Sequence, residues 1–285
     1  MKKKICLVSF IYPLIEKYLD EFINSINNQT FKEIDCVIVD DKYNKGLKNY
    51  YGQIVKAPQN LSVIEVRTWI INKLIDSGYN LAIFIDADDI MENNRIEKIV
   101  KEYEKTREEY GFYYNELYLL ENTNEDFYKG KLPIEISDYK EILNGNCVGM
   151  SHTAINLSLV KEKLKEFNPS KEVIAYDWLL HTYLLLNGYK GKKVDTKTYY
   201  RIYENNIAGK VEITDKKILT GIKVKKEHYK FLRVYNKEFE KKYEEILQVE
   251  KFVQEKGIEK YKEIINGQIE KKVYWWKNII PISSN

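Results

Sequence analysis

Cysteine is scarce in this 285-residue chain: Cys6, Cys36 and Cys147 stand far apart without paired spacing. That excludes a disulfide framework and a zinc knuckle, and it fits a reducing cytoplasm. Surplus charge is equally small. With 46 Lys and Arg against 43 Asp and Glu, the net +3 is too little for a duplex-binding surface, so no nucleic-acid partner is expected. A membrane-spanning run is missing too. The longest charge-free stretch, residues 142–160, contains Asn144, Asn146, Ser151, His152, Thr153 and Asn156 and is too polar to cross hydrocarbon. Residues 2–15 imitate the basic and apolar parts of a signal peptide, but no small-residue cleavage site follows, which favours a buried first strand. Neither a Gly-x-Gly-x-x-Gly turn nor a Walker loop is present, which disfavours a dinucleotide site. There is no repeat of solenoid length.

What remains is an ordinary globular composition, 44% hydrophobic and 31% charged. At about 150 residues per domain, the length suits two units or one large α/β domain with an appendage. Short apolar runs at residues 5–11, 34–39, 61–66 and 81–85 predict strands. Helix-period segments alternate with them: Ile15, Leu19, Phe22, Ile23 and Ile26; then Ile70, Ile71, Leu74 and Ile75; then Ile96, Ile99, Val100 and Tyr103. This alternation predicts a largely parallel sheet covered on both faces. Residues 111–120 are β-prone, 121–131 read as a surface loop, 158–167 and 173–187 as helices, and 194–201 as a strand. Beyond Val211, Lys and Glu alternate with apolar residues at helical intervals, predicting two or three helices broken at Gly257 and Gly267.

In an open parallel sheet, ligands bind beyond the carboxyl ends of the strands. Two carboxylate groups fall there, Asp40-Asp41 and Asp86/Asp88/Asp89. One Asp pair alone would read as helix caps; two clusters at strand ends point to a ligand or a divalent cation.

In order along the chain come Ser9-Phe10-Ile11-Tyr12, Ser25-Ile26-Asn27-Asn28-Gln29-Thr30-Phe31, Val37-Ile38-Val39-Asp40-Asp41, Arg67, and Phe84-Ile85-Asp86-Ala87-Asp88-Asp89. Tyr176-Asp177-Trp178 and the stretch from Tyr200-Arg201-Ile202-Tyr203 to Gly209 follow. Together these motifs resemble a family 2 glycosyltransferase of GT-A fold over residues 3–209. The resemblance implies an open, mostly parallel, Rossmann-like α/β sheet with a C-terminal helical extension. It implies a catalytic domain over 1–210, with a nucleotide-sugar half at about 1–110 and an acceptor half at about 111–210, before an extension at 211–285. Asp40, Asp41, Ser9 and Tyr12 would meet the nucleotide, and Arg67 the nucleotide or its phosphates. Asp86 would meet the ribose or the sugar, Asp88 would ligate Mg²⁺ or Mn²⁺, and Asp177 would take the acceptor proton. Asp89, His152, Trp178, Arg201 and Tyr203 are further donor or acceptor candidates. Thr68-Trp69 after Arg67, and Tyr203 where many relatives carry His, depart from the family pattern.

The expected reaction is metal-dependent, inverting transfer from a nucleotide-sugar, a UDP- or dTDP-sugar ahead of a GDP-sugar, to a hydroxyl of a glycan or lipid-linked acceptor. A nucleoside diphosphate leaves as an anion, so a metal suffices at the leaving group and one base suffices at the acceptor. The alternatives are a glycosyltransferase-like scaffold subunit and a nucleotidyltransferase. His181, four residues after Asp177, reads as a packed polar neighbour, and His228, among charges, as solvated. The tail around Trp275 and Trp276, with Lys271, Lys272 and Lys277, has the composition of an interfacial anchor and equally of a docking segment. It is expected on an exposed or subunit-facing surface, with peripheral contact at the inner membrane face and an oligomer both open.

Overall fold

The alternating apolar stretches of the first ninety residues build the centre of the sheet. The computed structural model describes residues 4–202, 214–269 and 274–282. Strand β1 (Ile5–Ile11) leads to α1 (Leu19–Asn27), β2 (Asp35–Asp40) and β3 (Gln53–Lys56); α2 (Val63–Asp76) then leads to β4 (Leu81–Phe84). Short β5 (Ile90–Met91), α3 (Arg95–Thr106), β6 (Tyr110–Leu119), β7 (Asn122–Asp126), β8 (Glu135–Ile136) and β9 (Thr153–Ile155) follow. Helices α4 (Leu157–Glu166) and α5 (Tyr176–Leu186) precede β10 (Lys190–Tyr200), and α6 (Asp215–Leu232), α7 (Lys237–Lys256) and α8 (Ile258–Ile265) come last. The sheet order is β3-β2-β1-β4-β9-β6-β10-β5, with β7 on β6 and β8 on β10. Strands β3, β2, β1 and β4 are parallel, whereas β9 runs antiparallel to both β4 and β6.

Period-two alternation sorts the two cores. Cys6, Val8, Val37, Val39, Ala82 and Phe84 share one core with Ile70, Ile71 and Leu74 of α2. Ile5, Leu7, Ile38, Leu81 and Ile83 share the other with Phe22 and Ile23 of α1 and Ile99 of α3. Both faces are therefore covered, and the carboxyl ends of β1, β2 and β4 open on one rim.

Three expectations need correction. Residues 61–66 are not a strand: Ser62 caps α2, its Oγ accepting from Glu65 N at 3.3 Å while its own N–H donates to Glu65 Oε2 at 2.7 Å. This reciprocal capping box starts a helix inside that short apolar run, and the third parallel strand is the short, exposed β3. The 121–131 segment is not all surface loop, since β7 pairs with β6 and Tyr128 is buried. Nor is His228 solvated. It is 1% exposed and stacks on Trp178, with ring centroids 3.7 Å apart.

That stack joins α6 to α5, and Tyr229 Oη donates to Leu143 O at 2.9 Å. The end of the chain returns over the same region. Trp275 and Asn146 exchange backbone hydrogen bonds of 2.8 and 2.9 Å, and Lys225 Nζ donates to Ile279 O at 2.7 Å. Gly221 on α6 leaves room for this strap: a Cβ there would lie 2.5 Å from Ile279 Cγ1. Gly221→Val is therefore expected to destabilise the protein by about 1–3 kcal/mol through overpacking, read by urea unfolding; stability equal to the parent would show that the gap does not seat the strap. Among the described residues no helix is long and apolar enough to cross a membrane.

Candidate active site

A cavity of about 290 Å³ opens at the rim beyond β4. Its walls include Tyr12, Arg67, Asp86, Asp88, His152 and Asp177, drawn from five separated stretches of chain, and they also include Tyr200, Trp275 and Trp276. Such convergence of ionisable groups in one concavity is the usual mark of a functional site.

The acidic turn after β4 is held from behind. Asp89 is buried; its Oδ1 accepts from Arg201 N at 2.9 Å and its Oδ2 from Ser151 Oγ. Ser151 Oγ in turn accepts from Asp86 N at 3.2 Å. Arg201 Nε donates to Asp88 O at 2.9 Å, and its guanidinium is also paired with Glu21. Asp89 and Arg201 thus shape the turn. Below it, buried Arg95 donates to Phe84 O at 2.9 Å and Asn115 Oδ1 at 2.8 Å and offsets the charge of Asp89. Ser151 and Arg95 were not singled out from the sequence; neither lies in a motif that names them.

Carboxylate oxygens of Asp86, Asp88 and Asp89 come within 4.8 Å of one another, which suits a hard divalent cation. Burial raises the Asp86 carboxyl to about 6, Arg67 opposing and Asp88 and Asp177 adding to the rise. Asp89 is raised further, first by burial and then by Asp88 and Asp86. A set of carboxyls that resist ionisation alone gains most from a cation.

Asp177 sits in the first turn of α5, where helix N–H groups favour an anion. Its Oδ1 accepts from Trp178 N at 2.8 Å, and His181 Nδ1 lies 2.7 Å from its carbonyl oxygen. Burial raises its carboxyl, against the pull of Arg67 and backbone donors. His181, fully buried and lowered to about 4, is the packed neighbour expected.

Other candidates lie elsewhere or are already engaged. Asp40 caps its own turn, accepting from Tyr43 N at 2.7 Å and Asn44 N at 3.2 Å. Asp41, beside Lys42, and Ser9, buried in β1, are at the same rim but not in the cavity wall. His152 Nε2 accepts from Gly149 N at 2.7 Å, which puts its proton on Nδ1, 2.5 Å from Asn115 O. With both nitrogens used and burial lowering it to about 3, His152 is a neutral brace. Trp178 is a core residue, its Nε1 donating to Ile142 O at 2.7 Å. Tyr203, the rest of its motif to Gly209, and Lys271 and Lys272 lie outside the described residues.

Trp275 and Trp276 correct the expectation of an exposed anchor. Both are partly buried and line the cavity, the Trp275 ring lying 5.7 Å from Phe127 and 6.0 Å from Tyr128.

Residues 5–117 match the family model for glycosyl transferase family 2, a stretch that carries β1 to β6 and the acidic turn. Comparison with curated protein sequences finds no match. Among solved structures, S. aureus TarS 1-349 superposes with a TM-score of 0.59 at 14% identity, over 92% of this chain and 78% of that one. Its complex with UDP-GlcNAc gives 0.56 at 14% identity, over 92% and 79%. The mannosyltransferase PcManGT from Pyrobaculum calidifontis, in complex with GDP-Man and Mn²⁺, gives 0.52 at 14%, over 82% of this chain and 65% of that one. The architecture is thus the GT-A type, and the glycosyltransferase class rests on the family match over 5–117.

Proposed function

We propose that this glycosyltransferase moves a sugar, with inversion and with help from a divalent cation, from a nucleotide-sugar to a hydroxyl of a glycan or lipid-linked acceptor. The observation that carries this reading is the shared cavity: Asp86 and Asp88 of the acidic cluster, with Asp89 buried behind them, one cation in Arg67, and a separate carboxylate in Asp177. Asp86 and Asp88 would hold Mn²⁺ or Mg²⁺, with Asp89 as the buried third oxygen donor. When bound, the ion neutralises charge building on the departing diphosphate. Arg67 adds a fixed positive charge to the same group. Asp177 accepts the proton as the acceptor oxygen attacks, and burial, by raising its carboxyl, makes its carboxylate a better base. Tyr12 and the adjoining rim of Ser9 and Asp41 would take the nucleoside. UDP-GlcNAc and GDP-Man in the superposed structures make UDP- and GDP-sugars the first donors to test, with dTDP-sugars beside them. The proposed catalytic domain is 1–210, with donor and acceptor halves meeting near residue 110 and an extension from 211. A cytoplasmic enzyme acting at the inner membrane face is the setting proposed.

Thermal stabilisation by UDP, dTDP and GDP, each with and without Mn²⁺, tests the reading, because a ligand bound only by the native state raises Tm with its affinity. No metal-enhanced stabilisation by any of the three would sink it. The acidic cluster also sets a pH dependence. The Asp86 carboxyl is raised from 3.8 to about 6, so the native state holds its proton more tightly than the unfolded chain, and this contribution is lost as pH rises through 6. A cation needs the ionised form. Mn²⁺ should therefore raise Tm little at pH 5 and clearly at pH 7.5; an equal effect at both would detach the ion from these carboxylates.

A further inference from the structure

We propose that Trp275, carried on the C-terminal strap, is an acceptor-recognition residue: its ring is the platform for a pyranose of a carbohydrate acceptor, and its indole N–H donates to one of that sugar's hydroxyls. The proposal rests on the glycosyltransferase reading of the cavity and adds its acceptor chemistry.

The strap has a built seat. Its backbone pairs with Asn146, Lys225 holds Ile279 O, and Tyr261 Oη donates to Ile280 O at 2.8 Å. A Cβ at Gly149 would lie 2.8 Å from Trp275 Cη2, so the missing side chain there lets the ring come flush against the turn carrying Ser151 and His152. The neighbouring Trp276 has φ of 69°, a left-handed conformation costly for a bulky side chain and one that persists where surrounding contacts impose it. Together these place an aromatic ring in the wall of the cavity that holds Asp177 and the acidic turn.

The chemistry of that ring is unfinished. Trp275 Nε1 is buried and has no hydrogen-bond partner among the described residues, whereas Trp178 Nε1 has one. A buried donor left unpaired is costly, and an occupant supplying an oxygen removes the cost. A sugar offers both halves of the match: C–H faces for the flat ring and a rim of hydroxyls for the N–H. The carboxylates account for the diphosphate and the base, and Tyr200 and Trp275 add an aromatic stretch of wall, backed by the rings of Phe127 and Tyr128.

The test uses the full chain with ¹⁵N-labelled tryptophan, whose four indole signals include Trp275, identified by its loss in Trp275→Phe. Methyl glycosides of glucose, galactose, mannose and N-acetylglucosamine are titrated in the presence of Mn²⁺ and whichever of UDP, dTDP and GDP binds. At least one glycoside should shift the Trp275 signal saturably. Trp275→Phe, which keeps a ring and drops the donor, should weaken that glycoside about tenfold and leave nucleotide affinity unchanged. Its Tm should match or exceed the parent's, because an orphan donor is gone; a purely packing role would lower Tm and leave glycoside affinity alone. Nucleotide binding with a Trp275 signal silent to every glycoside, or equal glycoside affinity in Trp275→Phe, overturns the proposal and leaves the glycosyltransferase reading standing. Absence of nucleotide binding overturns both.

Discussion

Asp177→Asn is expected to lower sugar transfer by about 10²–10⁴-fold while donor affinity stays nearly unchanged. The substitution keeps the shape and an oxygen that can accept from Trp178 N, so α5 should start as before. What it removes is the ability to take a proton. Arg67 also loses a nearby negative charge, but the acidic turn remains beside it, so the donor side keeps its electrostatic balance. Nucleoside diphosphate release in the presence of acceptor gives the rate, and calorimetric titration with the donor gives the affinity. Transfer near the parent rate would move the base to another carboxylate; equal loss of affinity and rate would make Asp177 a binding residue.

The second large effect is expected at the metal. Asp88→Ala should abolish Mn²⁺-enhanced stabilisation by a nucleoside diphosphate, whereas in the parent, saturation at a hundred times Kd contributes about 2.7 kcal/mol. The variant should remain folded, because Asp88 is only half-buried at the mouth of the turn, whereas Asp89 ties that turn to Ser151 and Arg201. The contrast is itself testable. Asp89→Ala strands Arg201 N and Ser151 and leaves buried Arg95 without its counter-charge, so it should lose stability as well as metal response. A Mn²⁺ effect intact in Asp88→Ala would take that residue out of the site.

How much of this was legible depends on the range over which the information lies. Strands β1, β2 and β4 announce themselves because a buried parallel strand needs an unbroken apolar run, and their acidic ends follow from position alone. Residues 61–66 read as a strand because Leu61, Val63, Ile64 and Val66 make a short apolar run; Ser62 and Glu65, three apart, are the signal of a helix start within it. Edge strand β3 was invisible for the opposite reason, having four residues and little burial. Among site groups, Asp86, Asp88, Arg67 and Asp177 do converge on one cavity. Nothing local marks Arg95 or Ser151, whose roles exist only through partners elsewhere in the chain. His228 was misread because the lysines and glutamates around it describe neighbouring helical faces, while its own faces Trp178. The seat of the strap, with Asn146 against Trp275, spans a separation no periodicity reports.

The strap also orders events during synthesis. Trp276 leaves the ribosome 99 residues after Asp177, which at about 5–20 residues per second is roughly 5–20 seconds. For most of that interval, once β10 and Arg201 have followed, the sheet, the acidic turn and the proposed base can be in place, yet one wall of the cavity is missing. A nascent chain would therefore bind nucleotide before it could enclose an acceptor, and competence for transfer would arrive only with the strap, after the fold that it completes.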